Sequence, residues 1–264
     1  MPDQPPRTLP LIAANLTMLF TETSALARPA LAQMAGFDGA EVLYPYDHPV
    51  ADWAAALNGL PLAAINTPPG NHAAGDRGFA ARPGEETQFR DGFLRALDYA
   101  TRLGAARLHV MAGIAKGPMA EEVYLENLAW AAAQAPEQAL TIEPLNPLDM
   151  PGYFLNDFDQ AARILDDLAL PNLGLQFDLW HAAQLHGDAG RVWAKHGPRA
   201  THIQISGFPD RNEPGGGGFD IRGFLLGLNG HYNGWVSAEY QPRARTSEGL
   251  GWLFTLKKPP MLWS

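Results

Sequence analysis

The chain has 264 residues, long for one ordinary core but the normal size of one α/β barrel of about 250 residues; 46% hydrophobic and 18% charged residues exclude a disordered tail. A net charge of -9 without a dense Lys/Arg block argues against a nucleic-acid partner. The absence of cysteine excludes disulfides and thiolate metal sites, so any metal must be held by carboxylate, imidazole, amide or water.

Met1–Pro10 is polar and proline-rich, does not read as a signal peptide, and is expected to be a peripheral tail. No apolar run approaches the roughly 20 residues that span a bilayer, so a cytoplasmic protein without a membrane partner is expected. Strand-like apolar runs then recur at Leu11–Phe20, Ala40–Pro45, Leu62–Asn66, Arg107–Ala112, Ala139–Leu145, Leu173–Leu179, Thr201–Ser206 and Trp235–Tyr240. Between them lie helical patterns. In Glu85–Leu103, Phe89, Phe93, Leu94, Leu97 and Ala100 share one face, and Gly104 follows as a C-cap. Ala120–Gln134 is a second helix, and Asn156 is expected to cap a third over Asp157–Asp167. Eight strand–helix pairs predict a single-domain (β/α)8 barrel over residues 1–264, with 255–264 as a second tail.

Two stretches depart from this rhythm. Pro68–Gly84 is too long and too Gly/Pro-rich for a plain turn. Because it follows a strand, it is expected at the catalytic face, as a substrate-covering loop or a solvated insertion. Gly215–Gly218 predicts a flexible loop.

The chemistry is expected at four strand ends. A barrel strand is covered on both faces, so an ionisable residue within it is costly unless paired or metal-bound. Glu143, Asp178, Gln204 and Glu239 stand near the C-terminal ends of the last four strands. With a side-chain period of two, each points inward together with Thr141, Gln176, His202 or Ser237, while Ile142, Phe177, Ile203 and Ala238 face the helices. Three converging carboxylates repel one another unless a cation sits among them. Three carboxylates and one amide oxygen form a hard ligand set suited to Mg²⁺ or Mn²⁺. His181 follows Asp178 by three residues and could polarise a substrate carbonyl or serve as a structural group. His109 points inward on the fourth strand, where it is a candidate substrate contact or a satisfied barrel histidine. Arg211 follows the seventh strand, where such barrels commonly bind anions, and could fork onto a substrate carboxylate or lie solvated on the surface.

The segments Ala13–Glu22, Gly36–Glu41, Asn66–Gly70, Leu108–Gly113, Ile142–Asn146, Asp149–Phe154, Gln204–Gly207, Arg211–Pro214 and Gly234–Trp252 resemble the hydroxypyruvate isomerase family of xylose isomerase-like TIM barrels. The resemblance runs from Leu11 to Trp252. It implies Glu143 and Glu239 as an acid/base pair, a divalent metal among Glu143, Asp178, Gln204 and Glu239, and substrate contacts from His181, Asp149 and Arg211. The implied reaction interconverts hydroxypyruvate and 2-hydroxy-3-oxopropanoate through an enediolate. The alternative is isomerisation of 2-oxo-tetronate, with a non-catalytic metal-binding barrel also open. Sugar 3-epimerases are expected to hold a histidine where Gln204 stands, and abasic-site endonucleases need more than these 8 histidines and a basic surface. The expected partner is a small hydroxy-oxo acid; the oligomeric state stays open, a homodimer or homotetramer included.

Overall fold

A computed structural model of the chain describes residues 9–215, 218–228 and 230–257. The expectations for Met1–Thr8, Gly216–Gly217 and the tail from residue 258 onward lie outside the described residues. Eight parallel strands close in sequence order: β1 Leu11–Asn15, β2 Gly39–Glu41, β3 Leu62–Asn66, β4 Arg107–His109, β5 Leu140–Ile142, β6 Leu173–Asp178, β7 Ala200–Ile205 and β8 Trp235–Ala238. Pairing of β1 with β8, Ala13 opposite Ser237, completes the cylinder. The helices are α1 Arg28–Met34, α2 Val50–Leu57, α3 Glu86–Leu103, α4 Pro118–Gln134, α5 Phe158–Leu168, α6 Leu179–His186, α7 Ala189–His196, α8 Ile221–Gly227 and α9 Gly251–Lys257.

The period-two reading of the last four strands holds. Ile142, Phe177, Ile203 and Ala238 are fully buried in the layer between strands and helices. The Phe177 ring meets Phe158 of α5 at 5.1 Å and Trp193 of α7 at 5.1 Å. The opposite face is the polar barrel interior, where Thr141 Oγ1 donates to Gln176 Oε1 over 3.1 Å. A one-residue slip of β6 would exchange Phe177 with Gln176 or Asp178 and bury unpaired charge against the helices.

Boundaries shift where local hydrogen bonding competes with the ladder. β1 ends at Asn15 instead of running to Phe20, because the N–H groups of Met18 and Leu19 turn back to the Asn15 carbonyl and its side-chain oxygen accepts from Thr17 N. α5 is capped by Asp157, not Asn156: Asp157 Oδ1 accepts from Gln160 N at 2.8 Å, while Asn156 Nδ2 donates to the Tyr153 carbonyl. Gly104 does close α3.

Residues 68–84 form a cover at the C-terminal ends of β3 and β4 that is packed over residues 78–81 and exposed over residues 70–74. Phe79, Ala80 and Ala81 are buried, and Ala81 N donates to Ala112 O at 2.7 Å. Gly78, with φ +98°, bridges antiparallel to Ala112; a Cβ there would lie 2.5 Å from Met111 Cβ. Only glycine permits that approach. Among the described residues, no helix is long and apolar enough to cross a membrane.

Asp157→Ala is expected to cost about 1 kcal/mol through loss of the α5 cap, lowering Tm by about 2–4 °C in a chain of this size. Thermal unfolding followed by circular dichroism checks this, and an unchanged Tm would show that the Asp157 cap is not stabilising.

Candidate active site

Glu143 lies just past β5, Asp178 ends β6, Gln204 lies on β7 and Glu239 follows β8, and all four are buried. Their side chains meet in a belt of hydrogen bonds. Gln176 Nε2 donates to Glu143 Oε2 at 2.8 Å and to Gln204 Oε1 at 3.0 Å. Gln204 Nε2 donates in turn to Glu239 Oε2 and, over 2.8 Å, to Glu41 Oε1. Asn15 Nδ2 bridges the same two carboxylates at 2.8 and 2.9 Å. His202 Nε2 stands 2.6 Å from Glu41 Oε2.

Glu41 and Asn15 are members of this belt that reasoning on the last four strands alone does not reach. Glu41 carries the same signal as the others, an ionisable residue at the end of an apolar strand. Burial alone would lift its proton affinity. The neighbouring His202, with hydrogen bonds from His202, Ser237 and Gln204, holds it below the ordinary carboxylate range.

At the mouth the charges are less balanced. Burial pushes Glu143 well above the ordinary range, and the charges of Glu239 and Asp178 add to it. Burial also raises Glu239 well above that range, against the pull of Arg211. Asp178 is pushed up to about 6 by burial, opposed by Arg211 and the Trp180 N–H. Arg211 Nη2 lies 2.7 Å from Glu239 Oε1 and 3.0 Å from Asp178 Oδ2, with Asp149 at 3.8 Å from Nη1. Its backbone holds a left-handed φ of 55°, uncommon for a residue with a side chain and costly unless its surroundings fix it. Arg211 is thus turned onto the acids.

The two histidines differ. Burial lowers His109 to about 3, so it is neutral; its Nδ1 lies 3.6 Å from Glu143 Oε2. His181 is also held neutral by burial. Its Nδ1 lies 3.0 Å from the Asn146 backbone N, which can only donate, so the ring proton sits on Nε2. Nε2 faces Asp178 Oδ2 at 3.5 Å and Glu143 Oε1 at 4.0 Å. Asp149 Oδ2 accepts from Asn146 Nδ2 at 2.9 Å and Trp180 Nε1 at 2.6 Å, tying its loop to α6. The structure therefore brings all eight residues singled out from sequence to one end of the barrel.

A carboxylate oxygen each of Glu143 and Asp178 and a ring nitrogen of His181 lie within 4.8 Å of one another in a buried group; with the His181 proton on Nε2, the two carboxylates are the members free to hold a metal ion. Gln204 and Glu239 stand beside it, engaged with Glu41, Asn15 and Arg211. Carboxylates of raised proton affinity, buried without enough positive charge, are the donor set that a hard divalent cation satisfies.

A pH-dependent consequence follows. An acid whose proton affinity rises on folding opposes folding once ionised. Its contribution is most favourable below its ordinary pKa and is lost as pH rises through the shifted value, for Asp178 from 3.8 to about 6. A cation that needs these groups ionised should raise Tm more at pH 8 than at pH 5. Thermal scans of chelator-stripped protein with and without Mn²⁺ check this; an equal gain at both pH values, or none, would count against the acids as ligands.

The chain matches the xylose isomerase-like TIM barrel family over residues 29–256. It is 44% identical over 259 residues to a 2-oxo-tetronate isomerase from Cupriavidus necator, covering 93% of this chain and 98% of that relative. It is 37% identical over 251 residues to the hydroxypyruvate isomerase of Escherichia coli, covering 91% and 97%. A crystal structure described as an AP endonuclease of family 2 from Brucella melitensis superposes with a TM-score of 0.89 at 40% identity, over 94% of this chain and 99% of that one. The strand-end cluster and these similarities together identify the chain as an isomerase that belongs to the hydroxypyruvate isomerase and 2-oxo-tetronate isomerase group of xylose isomerase-like TIM barrels.

Proposed function

We propose that the enzyme interconverts hydroxypyruvate and 2-hydroxy-3-oxopropanoate, with Glu143 as the base that abstracts the carbon-bound proton and Glu239 as its acidic partner. One observation carries this reading. Two buried glutamates of raised proton affinity are joined through Gln176 and Gln204, and they differ in freedom. Glu239 has both oxygens bound, by Asn15 and Gln204 on one and Arg211 on the other. Glu143 is anchored through Oε2 and turns Oε1 toward His181. A carboxylate with one oxygen anchored and the other turned into the site is positioned for proton transfer.

Glu143 takes a proton from C3 of hydroxypyruvate; the C–H electron pair enters the C2–C3 bond and the carbonyl pair moves onto O2. Delivery of a proton to C2, with passage of the O3 hydroxyl proton to O2, leaves an aldehyde at C3 and a hydroxyl at C2. His181, its proton fixed on Nε2 by the Asn146 N–H, donates to a substrate oxygen lying between the acids. Asp178 and Arg211 hold that face of the site in register. Glu143 and Asp178, with Gln204 and Glu239 beside them, would hold a divalent ion, Mg²⁺ or Mn²⁺, which would supply positive charge opposite the substrate oxygens. The proton on His181 Nε2 assigns this residue to substrate in preference to the ion.

A second reading, 2-oxo-tetronate as substrate, is favoured by the 44% identity to the Cupriavidus relative against 37% to the Escherichia coli relative. It uses the same proton shift on an acid one carbon longer. The net charge of -9 argues against a nucleic-acid substrate of the kind the Brucella description names.

Purified enzyme should turn over one of the two acids and lose that activity to chelator, and side-by-side kinetics identify which. Glu143→Gln and Glu239→Gln should each lower kcat by at least about a hundredfold. Near-normal turnover in both variants would remove the acid/base assignment.

A further inference from the structure

The cover over the barrel mouth carries a cation that the chemistry above leaves unused. Arg77 is half-buried, with Nη1 donating to the carbonyls of Asp76 at 2.7 Å and His72 at 3.0 Å. Its Nε lies 3.3 Å from Met150 Sδ. None of these partners carries a charge. Among the described residues Arg77 forms no ion pair, whereas Arg82 on the same cover pairs with Asp76 and Glu85.

Arg77 is also held in place. The Gly78–Ala112 bridge pins the next residue to the chain leaving β4, and Met150 belongs to the loop that fixes Asn146 and Asp149 against His181 and Trp180. Inward of the cover lies Tyr44, its ring 6.1 Å from His72 and its hydroxyl 3.6 Å from Met111 Sδ. Burial pushes that hydroxyl up to about 12; the charges of Glu239, Glu143 and Arg77 all act on it. Tyr44 thus links His72 of the cover to Met111 on the chain leaving β4.

A 2-oxo acid brings its own carboxylate into a mouth that already holds Glu143, Asp178 and Glu239. Arg211 is committed to two of these three, at 2.7 and 3.0 Å. The incoming anion needs a cation that is not already neutralised. Resting on the reading of the substrate as a short 2-oxo acid, we propose that the guanidinium of Arg77 is the docking point for the substrate carboxylate and makes the enzyme select acids over neutral sugars. The proton-transfer end of the substrate then lies toward Glu143 and His181, with the anionic end toward the cover.

The test compares Arg77→Met and Arg77→Lys with wild type, using D-glycerate and glycerol as probes that differ in carboxylate against hydroxymethyl. Arg77→Met should raise KM for the acid substrate and weaken D-glycerate binding, measured by calorimetry, by about tenfold to a hundredfold, the usual size of a lost charge-assisted contact. The effect on kcat should be smaller, glycerol binding should not change, and Arg77→Lys should recover part of the loss. Lys116→Met, on the exposed loop after β4, should leave both constants within about twofold of wild type, the range of a neutral surface change. The proposal is overturned if Arg77→Met leaves D-glycerate binding intact, if glycerol binding weakens equally, or if Lys116→Met gives the larger effect. Calorimetry needs no turnover, so a wild-type enzyme that binds D-glycerate yet isomerises neither acid would defeat the proposed reaction while the role of Arg77 is still decided.

Discussion

Four carboxylates, Glu41, Glu143, Asp178 and Glu239, are buried in one end of a closed cylinder, where little water reaches them to disperse their charge. The protein answers with two devices. Around the inside of the barrel it lays side-chain amides that give their N–H groups to the acids: Asn15 and Gln204 each bridge Glu41 and Glu239, and Gln176 serves Glu143. At the mouth it sets one guanidinium, Arg211, between Asp178 and Glu239. The amides satisfy lone pairs without cancelling charge, so the raised proton affinities of Glu143, Asp178 and Glu239 persist. That residual demand for positive charge makes the mouth a place for a divalent ion.

Much of this was legible in the sequence because a barrel strand leaves little choice. With both faces covered, an apolar residue and an acid that alternate along β6 must point to opposite sides, so Phe177 and Asp178 announce which side faces the helices. Glu41 obeyed the same rule, but β2 has only three residues, too few for an alternation to stand out. The eight-strand count was recoverable from spacing, and β3 at both ends, whereas the C-terminal ends of the other strands were not. Asn15 spends its carbonyl and side-chain oxygens on the turn that follows, a choice between ladder and turn that local composition does not decide. The cap of α5 shows the same limit. Asn156 and Asp157 are both good capping types, and the Tyr153 carbonyl, which is out of sight in a linear pattern, takes the Asn156 amide.

Direction is the property that sequence conveyed least. From the sequence, Arg211 reads either as a fork for a substrate carboxylate or as a solvated surface residue, and its position after β7 permits both. In the structure its backbone is left-handed and its side chain lies over Trp180 and against Asp178 and Glu239. The 68–84 stretch reads from sequence as a cover or a solvated insertion, and the structure has both characters: Gly78, which lacks a Cβ, lets one part lie on the chain leaving β4, while the 70–74 part is exposed.

The amide at position 204 shows how tightly these parts constrain one another. Its nitrogen gives two hydrogens, one to Glu41 and one to Glu239, while its oxygen accepts from Gln176. A neutral imidazole offers one N–H in total, so a histidine there would leave Glu41 or Glu239 short of a donor, and a carboxylate would add a fifth acid. Glutamine is the side chain that serves both acids and still closes the link to Gln176 and Glu143. Because Glu41 is an acceptor fixed by His202, it also dictates which way that amide turns. The geometry of the two catalytic candidates therefore depends on a buried pair, Glu41 and His202, to which the reaction assigns no role.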